Sequence, residues 1–302
     1  MSELSVRAHL GDAMDIYPTL EPGYTLIVSD GAYGIGGFPG DPKSPKALAD
    51  WYAPHLEAWA RLAAPSSSLY FYGTPEGCAR MLPAVEAAGW RLYSRIVWNK
   101  GMAALAGRLD TEAIRGWPVA SEDCYFYVRG PHMGDVLRSA REARGLSEGH
   151  LDRAVSASGK PTRAVRNWEE GLSDPSSDSW RRCSKVLGGL PEYEALRYPF
   201  ILPQGVTDVW TGLPVNRIGR HSCAKRDDHI ERIVTASSRP GDRVLEPFGG
   251  GAPVLRACRK LGRSCDSIEI DPEWHERALA SIETRPEATA TRGQPSLFGA
   301  LG

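Results

Sequence analysis

The sequence lacks most of the marks of a disulfide scaffold, a metal module or a membrane protein. Its six cysteines, Cys78, Cys124, Cys183, Cys223, Cys258 and Cys265, are scattered and form no C-x-x-C pair. That pattern argues against a zinc ribbon or a dithiol redox site and predicts free thiols in a reducing, cytoplasmic setting. No metal site is expected. No apolar run approaches the ~18 residues of a membrane span, so no membrane association is expected. The opening stretch MSELSVRAHLGDAMD has no basic-then-apolar pattern of a signal peptide. Neither sign of charge dominates: formal net charge is -1 and the pI is near 6.7. If the chain binds nucleic acid, its positive charge must be concentrated locally. There are no internal repeats and no long low-complexity tract.

What is present is enough apolar residue, 42% of the 302, for one large α/β domain or one domain with an insert. The first third alternates short apolar, β-rich runs with helix-period stretches. Strands are expected at Tyr24–Ser29, Ser68–Tyr72, Leu92–Trp98 and Cys124–Val128, and helices at Leu48–Leu62 and up to Ala88. Alternation of this kind predicts a mainly parallel sheet covered by helices on both faces. Past Pro131 the text turns helical and carries no strand pattern from Met133 to about Leu190. Strand pattern returns near Val209, followed by a helix at Asp228–Ser237, a strand at Arg243–Glu246, a helix at Ala252–Leu261 and a strand at Ser267–Ile270. The expected division is α/β over 1–130 and 198–285, an all-helical insert over 131–197, and a flexible tail over 286–302, rich in Ala, Thr, Gly and Pro.

Two stretches carry chemistry. The first, Val244-Leu245-Glu246-Pro247-Phe248-Gly249-Gly250-Gly251, is a strand running into a glycine turn before a helix, where backbone can approach a ligand closely. About 20 residues on, Ser267-Ile268-Glu269-Ile270-Asp271 ends a strand in acids, at the spacing from which a carboxylate can bind both ribose hydroxyls. The turn has neither G-x-G-x-x-G spacing nor a G-K-[ST] ending, which favours a nucleotide-like ligand without a pyrophosphate.

Asp228–Ala278 resembles the cofactor region of bacterial amino-group DNA methyltransferases, which carry D-P-F-x-G-x-G and then an I-E-x-D strand end. Here these read E-P-F-G-G-G and S-I-E-I-D. The resemblance implies a Rossmann-like methyltransferase fold and S-adenosylmethionine as cofactor. Glu246, Phe248, Gly249 and Gly251 would surround its methionine and adenosine parts, and Glu269 would hold the ribose. His221 and Ser222, in R-H-S-C-A-K-R, fall where the family lines the same pocket, and an ordinary surface histidine is the competing reading.

The family's second signature is a strand followed by [DNS]-P-P-[YF]. Here Leu26-Ile27-Val28-Ser29 leads into Asp30-Gly31-Ala32-Tyr33, with Gly11-Asp12-Ala13 upstream as in the family. An exocyclic amino nitrogen is a poor nucleophile because its lone pair is delocalised into the ring. Hydrogen bonds from its N–H groups to the Asp30 carboxylate and the Gly31 carbonyl would return density to nitrogen and stabilise the charge that develops. Tyr33 would stack on a base swung out of the duplex. Both prolines of the motif are missing, so a looser loop is expected. Catalytic stretch, insert and cofactor stretch follow one another in the order of the family's beta class.

The insert resembles a helix-turn-helix domain of the Cro and lambda-repressor type, through R-E-A-R-G-L-S at 141–147 and T-R-A-V-R-N-W-E-E-G at 162–171. By that resemblance Thr162–Glu170 is the recognition helix, and Lys160, Arg163, Arg166 and Asn167 contact double-stranded DNA, with Trp168 in the core. A helical insert with a solvated charged face is the plainer alternative. Near the end, Gln294-Pro295-Ser296-Leu297-Phe298 resembles a sliding-clamp docking peptide.

The resulting expectation is a site-specific DNA methyltransferase acting on adenine N6 or cytosine N4. Asp at the first catalytic position leans toward adenine, and a cognate restriction endonuclease is a candidate partner. The rival is a catalytically inactive DNA-binding regulator on a methyltransferase scaffold. Methylation of RNA or of a small molecule is a third reading, against which the DNA-reading insert argues.

Overall fold

The computed structural model describes residues 4–38, 40–101, 115–196, 200–203, 205–211 and 225–283. Eight strands form one sheet: β1 (Val6–Leu10), β2 (Tyr24–Ser29), β3 (Ala63–Gly73), β4 (Arg91–Asn99), β5 (Ser121–Arg129), β6 (Val209–Trp210), β7 (Arg243–Glu246) and β8 (Ser264–Glu269). Their order is β1-β8-β7-β2-β3-β5-β4-β6. The sheet is mainly parallel, with β5 antiparallel to both of its neighbours, β3 and β4.

The period-2 pattern sorts side chains to opposite faces. Leu26 and Val28 of β2, with Tyr70 and Tyr72 of β3, face α9 (Asp227–Ser237), α10 (Pro253–Leu261) and α11 (Pro272–Glu283). Ile27, Leu69 and Phe71 face α1 (Ala13–Ile16), α2 (Leu48–Leu62) and α3 (Pro75–Ala87). Helices thus cover both faces. The expected strands and helices are found, several with longer bounds. β1, α1 and α11 are not legible as elements in the sequence.

The chain's two α/β parts meet at β2 and β7, which pair in parallel with Leu26 opposite Val244 and Ile27 opposite Leu245. Both strands therefore end at the same edge, the carboxyl edge where open α/β sheets place their ligands. Behind this junction, buried Asp266 of β8 accepts from Tyr24 Oη at 2.7 Å and Arg7 Nε at 2.8 Å, and His9 Nε2 lies 2.8 Å away. Burial alone would raise this carboxyl, but these partners hold it well below the usual range.

Between β5 and β6 lie α4 (Met133–Ala143), α5 (Glu148–Val155), α6 (Ala164–Glu169), α7 (Ser177–Leu187) and α8 (Tyr193–Leu196). They enclose a cluster of their own that includes Leu137, Leu151, Val165, Trp168, Trp180 and Leu187. A buried ion pair ties α4 to α6, with Arg141 Nε on Glu169 Oε1 at 2.6 Å and Arg141 Nη2 on Oε2 at 2.7 Å. The five described cysteines are buried free thiols. No helix among the described residues is long and apolar enough to cross a membrane.

Candidate active site

Because β2 and β7 run side by side, the segments that follow them emerge together. Gly31 is buried, and a β-carbon there would lie 2.5 Å from Cδ2 and Cε2 of Phe248 and 2.8 Å from Tyr52 Oη. The half-buried Phe248 ring sits among Trp51 (5.6 Å between centroids), His55 (5.2 Å) and Tyr52 (6.2 Å). Burial lowers His55 to about 4, so this aromatic wall is neutral at physiological pH. The two stretches singled out in the sequence thus meet side by side at the carboxyl edge of the sheet.

Asp30 lies just past the end of β2, about one-third exposed. Its Oδ1 accepts from Lys225 Nζ at 2.7 Å and from Tyr33 Oη, also at 2.7 Å. Lys225, 2% exposed, reaches Glu122 Oε1 at 2.9 Å and Tyr33 Oη at 3.2 Å. Tyr33 Oη is also 2.6 Å from Glu122 Oε1. Glu122, on β5, pairs through its other oxygen with Lys100. Burial would push Glu122 up, but Lys225 and then Lys100 outweigh it and hold it at about 2. Burial would strip the proton from Lys225, but Asp30 and Glu122 keep it charged. Tyr33 stays protonated because of burial and the two carboxylates beside it. The phenol therefore points inward, and its half-buried ring packs against the core on the α9 side.

Sequence reasoning misses Lys225, Glu122 and Lys100 as site residues. The legible signal is a pair of acids, Glu122 and Asp123, at the head of a strand that is otherwise largely apolar, S-E-D-C-Y-F-Y-V. Nothing in the spacing says that a lysine from the R-H-S-C-A-K-R stretch reaches it.

The looseness expected from the lost prolines is offset from another quarter. Buried Asp41 gathers the loop after Asp30: its Oδ1 accepts from the backbone N–H of Tyr33 (3.1 Å) and Gly34 (2.9 Å), and its Oδ2 from Ile35 (3.3 Å) and Gly37 (2.8 Å). Gly34, at φ +70°, packs so closely on Pro45 that a β-carbon would sit 2.7 Å from Pro45 Cα. A carboxylate and close packing provide the stiffness that pyrrolidine rings would otherwise give.

In the glycine turn, Gly250 adopts φ +48° and donates its N–H to Glu269 Oε2 at 2.5 Å. The other Glu269 oxygen accepts from Asp271 N at 2.8 Å. Glu269 remains half-exposed at the strand end. Gly249 is packed so that a β-carbon would meet Ser267 Oγ at 2.6 Å, whereas a β-carbon at Gly251 would meet nothing within 4 Å. An open backbone beside a half-exposed carboxylate suits a nucleoside-bearing cofactor. Glu246 is placed differently from its neighbours: it is 2% exposed, and its oxygens accept from Val254 N (3.0 Å) and Leu255 N (3.2 Å) at the start of α10. Burial pushes it up to about 7. It shapes the turn from beneath. His221 and Ser222 lie outside the described residues, as does the Gln294–Phe298 motif.

In the inserted helices, the expected recognition helix over Thr162–Glu170 is shorter: α6 covers Ala164–Glu169. The reason is local. Buried Asp152 accepts from the backbone N–H of Thr162, Arg163 (2.9 Å) and Val165 (3.3 Å), which holds the chain in a turn before the helix. Arg163 takes a left-handed conformation at φ 64°. Lys160, Arg163, Arg166 and Asn167 are all exposed. Arg166 pairs with Glu170 at 2.7 Å, and Trp168 is in the core.

An open α/β sheet with an acid and a glycine turn at one carboxyl edge defines a Rossmann-like nucleotide-binding fold. The DNA methylase family of N6/N4 methyltransferases matches residues 24–280, and the chain belongs to that family. The type II methyltransferase M1.MboII of Moraxella bovis is 26% identical over 216 residues, 70% of this chain and 70% of that protein. A shorter stretch of 84 residues is 32% identical to the type II methyltransferase M2.DpnII of Streptococcus pneumoniae, covering 26% of this chain and 31% of that relative. Among solved structures, the M1.HpyAVI–SAM complex aligns with a TM-score of 0.56 at 14% identity, over 92% of this chain and 99% of the other, and shares the fold.

Proposed function

We propose that this DNA methyltransferase moves the methyl group of S-adenosylmethionine to the exocyclic amino group of adenine (N6) or cytosine (N4) in double-stranded DNA. One observation carries the reading: the Asp30 loop and the glycine turn leave adjacent strands and touch at Gly31 and Phe248. M1.HpyAVI, which shares the fold, is solved in complex with SAM, and the turn described above fits such a group. Phe248, Gly249 and Gly251 would line its methionine and adenosine parts, Glu269 would accept from the ribose hydroxyls, and His221 and Ser222 would complete the pocket. Glu246 acts through the turn it holds.

When bound, the cofactor supplies a methyl group already activated on a sulfonium. The chain's own residues do the rest. Asp30, partly exposed, accepts an N–H of the target amino group, and the Gly31 carbonyl accepts the other. This draws electron density onto nitrogen and stabilises the charge formed there. Tyr33, its hydroxyl anchored inward, offers its ring to the base turned out of the stack. The aromatic wall around Phe248 excludes water from the reacting atoms. Asp at position 30 favours adenine over cytosine. The exposed Lys160, Arg163, Arg166 and Asn167 support a helix-turn-helix reader in segment 131–197 that grips phosphates and base edges.

The test is transfer of labelled methyl from S-adenosylmethionine to DNA from a methylation-deficient host, followed by mapping of the modified base. Wild type should label N6 of adenine or N4 of cytosine at a defined sequence, and Asp30→Ala should abolish the label while cofactor still binds. Absence of transfer from both proteins, with sequence-specific DNA binding intact, would leave the reading without support and favour a DNA-binding regulator.

A further inference from the structure

The acidic pocket behind Asp30 crowds a phenol between two carboxylates, and among the described residues Lys225 is the cation that reaches both. Tyr33 Oη lies 2.7 Å from Asp30 Oδ1 and 2.6 Å from Glu122 Oε1. A phenol has one proton, so it can donate to only one of these oxygens. The other contact would set a hydroxyl lone pair against a carboxylate. Lys225 removes the conflict. Its ammonium has three N–H groups, and three acceptors surround it: Asp30 Oδ1 at 2.7 Å, Glu122 Oε1 at 2.9 Å and Tyr33 Oη at 3.2 Å. The rings of Tyr72 (4.7 Å), Tyr33 (5.6 Å) and Trp98 (5.9 Å) enclose it, and only 2% of the side chain meets solvent. A buried ammonium with every donor used is a fixed point, unlike a surface lysine.

We propose that Lys225 is a positioning residue for methyl transfer: by occupying Oδ1 of Asp30 together with Tyr33, it turns the carboxylate so that Oδ2 is the oxygen presented to the amino group. The inference rests on the reading that Asp30 grips that group. Both donors approach the same oxygen, and Asp30 keeps about one-third of its side chain exposed. Among the described residues, the ionisable groups facing the pocket are Glu122 and Cys124 from β5, Lys100 after β4, Tyr72 from β3, Tyr52 from α2 and His229 from α9. Among the described residues Lys100 is the one further lysine or arginine there, and His229 is buried and lowered to about 3, by burial first and then by Lys225. Lys100 reaches only the far oxygen of Glu122. Without Lys225 the pocket is one positive charge short, and buried Glu122 is the group that then takes up a proton.

The experiment compares wild type, Asp30→Ala, Lys225→Met and the double variant Lys225→Met/Glu122→Gln. Each is assayed for methyl transfer to DNA from a methylation-deficient host, with S-adenosylmethionine binding and thermal unfolding measured alongside. Lys225→Met should lower kcat about 100-fold and leave cofactor affinity near wild type. The acid side of its kcat profile should move up by about one pH unit. The double variant removes one charge of each sign, so its unfolding temperature and acid limb should return toward wild type, while kcat stays low because Asp30 is no longer turned. Unchanged kcat in folded Lys225→Met, or recovery of full kcat in the double variant, would overturn the proposal. Activity surviving in Asp30→Ala would instead remove the underlying reading of Asp30, so the two failures are separable.

Discussion

The ring of Phe248 occupies the space that a side chain at residue 31 would need: a β-carbon on Gly31 would lie 2.5 Å from two of its ring carbons. These residues come from opposite ends of the sequence and from the adjacent strands β2 and β7. Gly31→Ala is therefore an overpacking change at the junction of the two motifs. It should destabilise the fold by about 2 kcal/mol and cut methyl transfer roughly 100-fold, because the Asp30 loop and the glycine turn are pushed apart. Urea unfolding and single-turnover transfer check both. A Gly31→Ala protein of wild-type stability and rate would show that the ring yields freely.

Asp41 should matter to rate more than to stability. Asp41→Ala leaves four backbone N–H groups of the loop without their acceptor. We expect a fall in kcat of about 10-fold or more, with faster proteolytic cleavage between residues 34 and 40. Asp41→Asn keeps one oxygen and so one pair of these bonds, and should fall between the two. Equal rates in all three proteins would mean that the loop is held by Gly34 and Pro45 alone.

Glu246 gives a pH dependence with a definite sign. Its folded value of about 7 lies above the ordinary 4.5, so the folded state binds the proton more tightly. The stability this contributes is full below about 4.5 and is lost as pH rises through about 7. Glu246→Gln removes that slope. Buried His55 and His229 slope the other way below about 6.5 but are common to both proteins. Urea unfolding of wild type and Glu246→Gln at about pH 5 and about pH 8 should show wild type losing ground to the variant at the higher pH. Parallel behaviour would contradict the burial argument.

At Asp266 the sign reverses. Its folded value lies below the ordinary one, so its contribution is present above about 3.8 and is lost as pH falls below that. Asp266→Asn leaves Tyr24, Arg7 and His9 short of a charged acceptor. It should cost about 2 kcal/mol at neutral pH, chiefly through buried Tyr24, because Arg7 is half-exposed. Thermal unfolding checks the loss, and the folded fraction should keep its specific activity.

The sequence by itself determined the alternation that makes an α/β sheet, the helical stretch between β5 and β6, and the two stretches, 30–33 and 246–251, that the fold brings together. These are local facts: short apolar, β-rich runs, period-3.6 patterns, and glycines where backbone must come close. It also carried a weak signal in the adjacent acids Glu122 and Asp123 at the head of a largely apolar strand, whose partners it could not name. Only the tertiary structure decided that Glu246 caps α10, that Asp41 replaces the stiffness of two prolines, and that α6 starts at Ala164 under the hold of Asp152. Only it brought Lys225 to Asp30, across 195 positions of chain. Strand order set these pairings: with β7 beside β2, residues remote in sequence share one carboxyl edge, and burial there leaves each charge dependent on a partner that no spacing rule predicts.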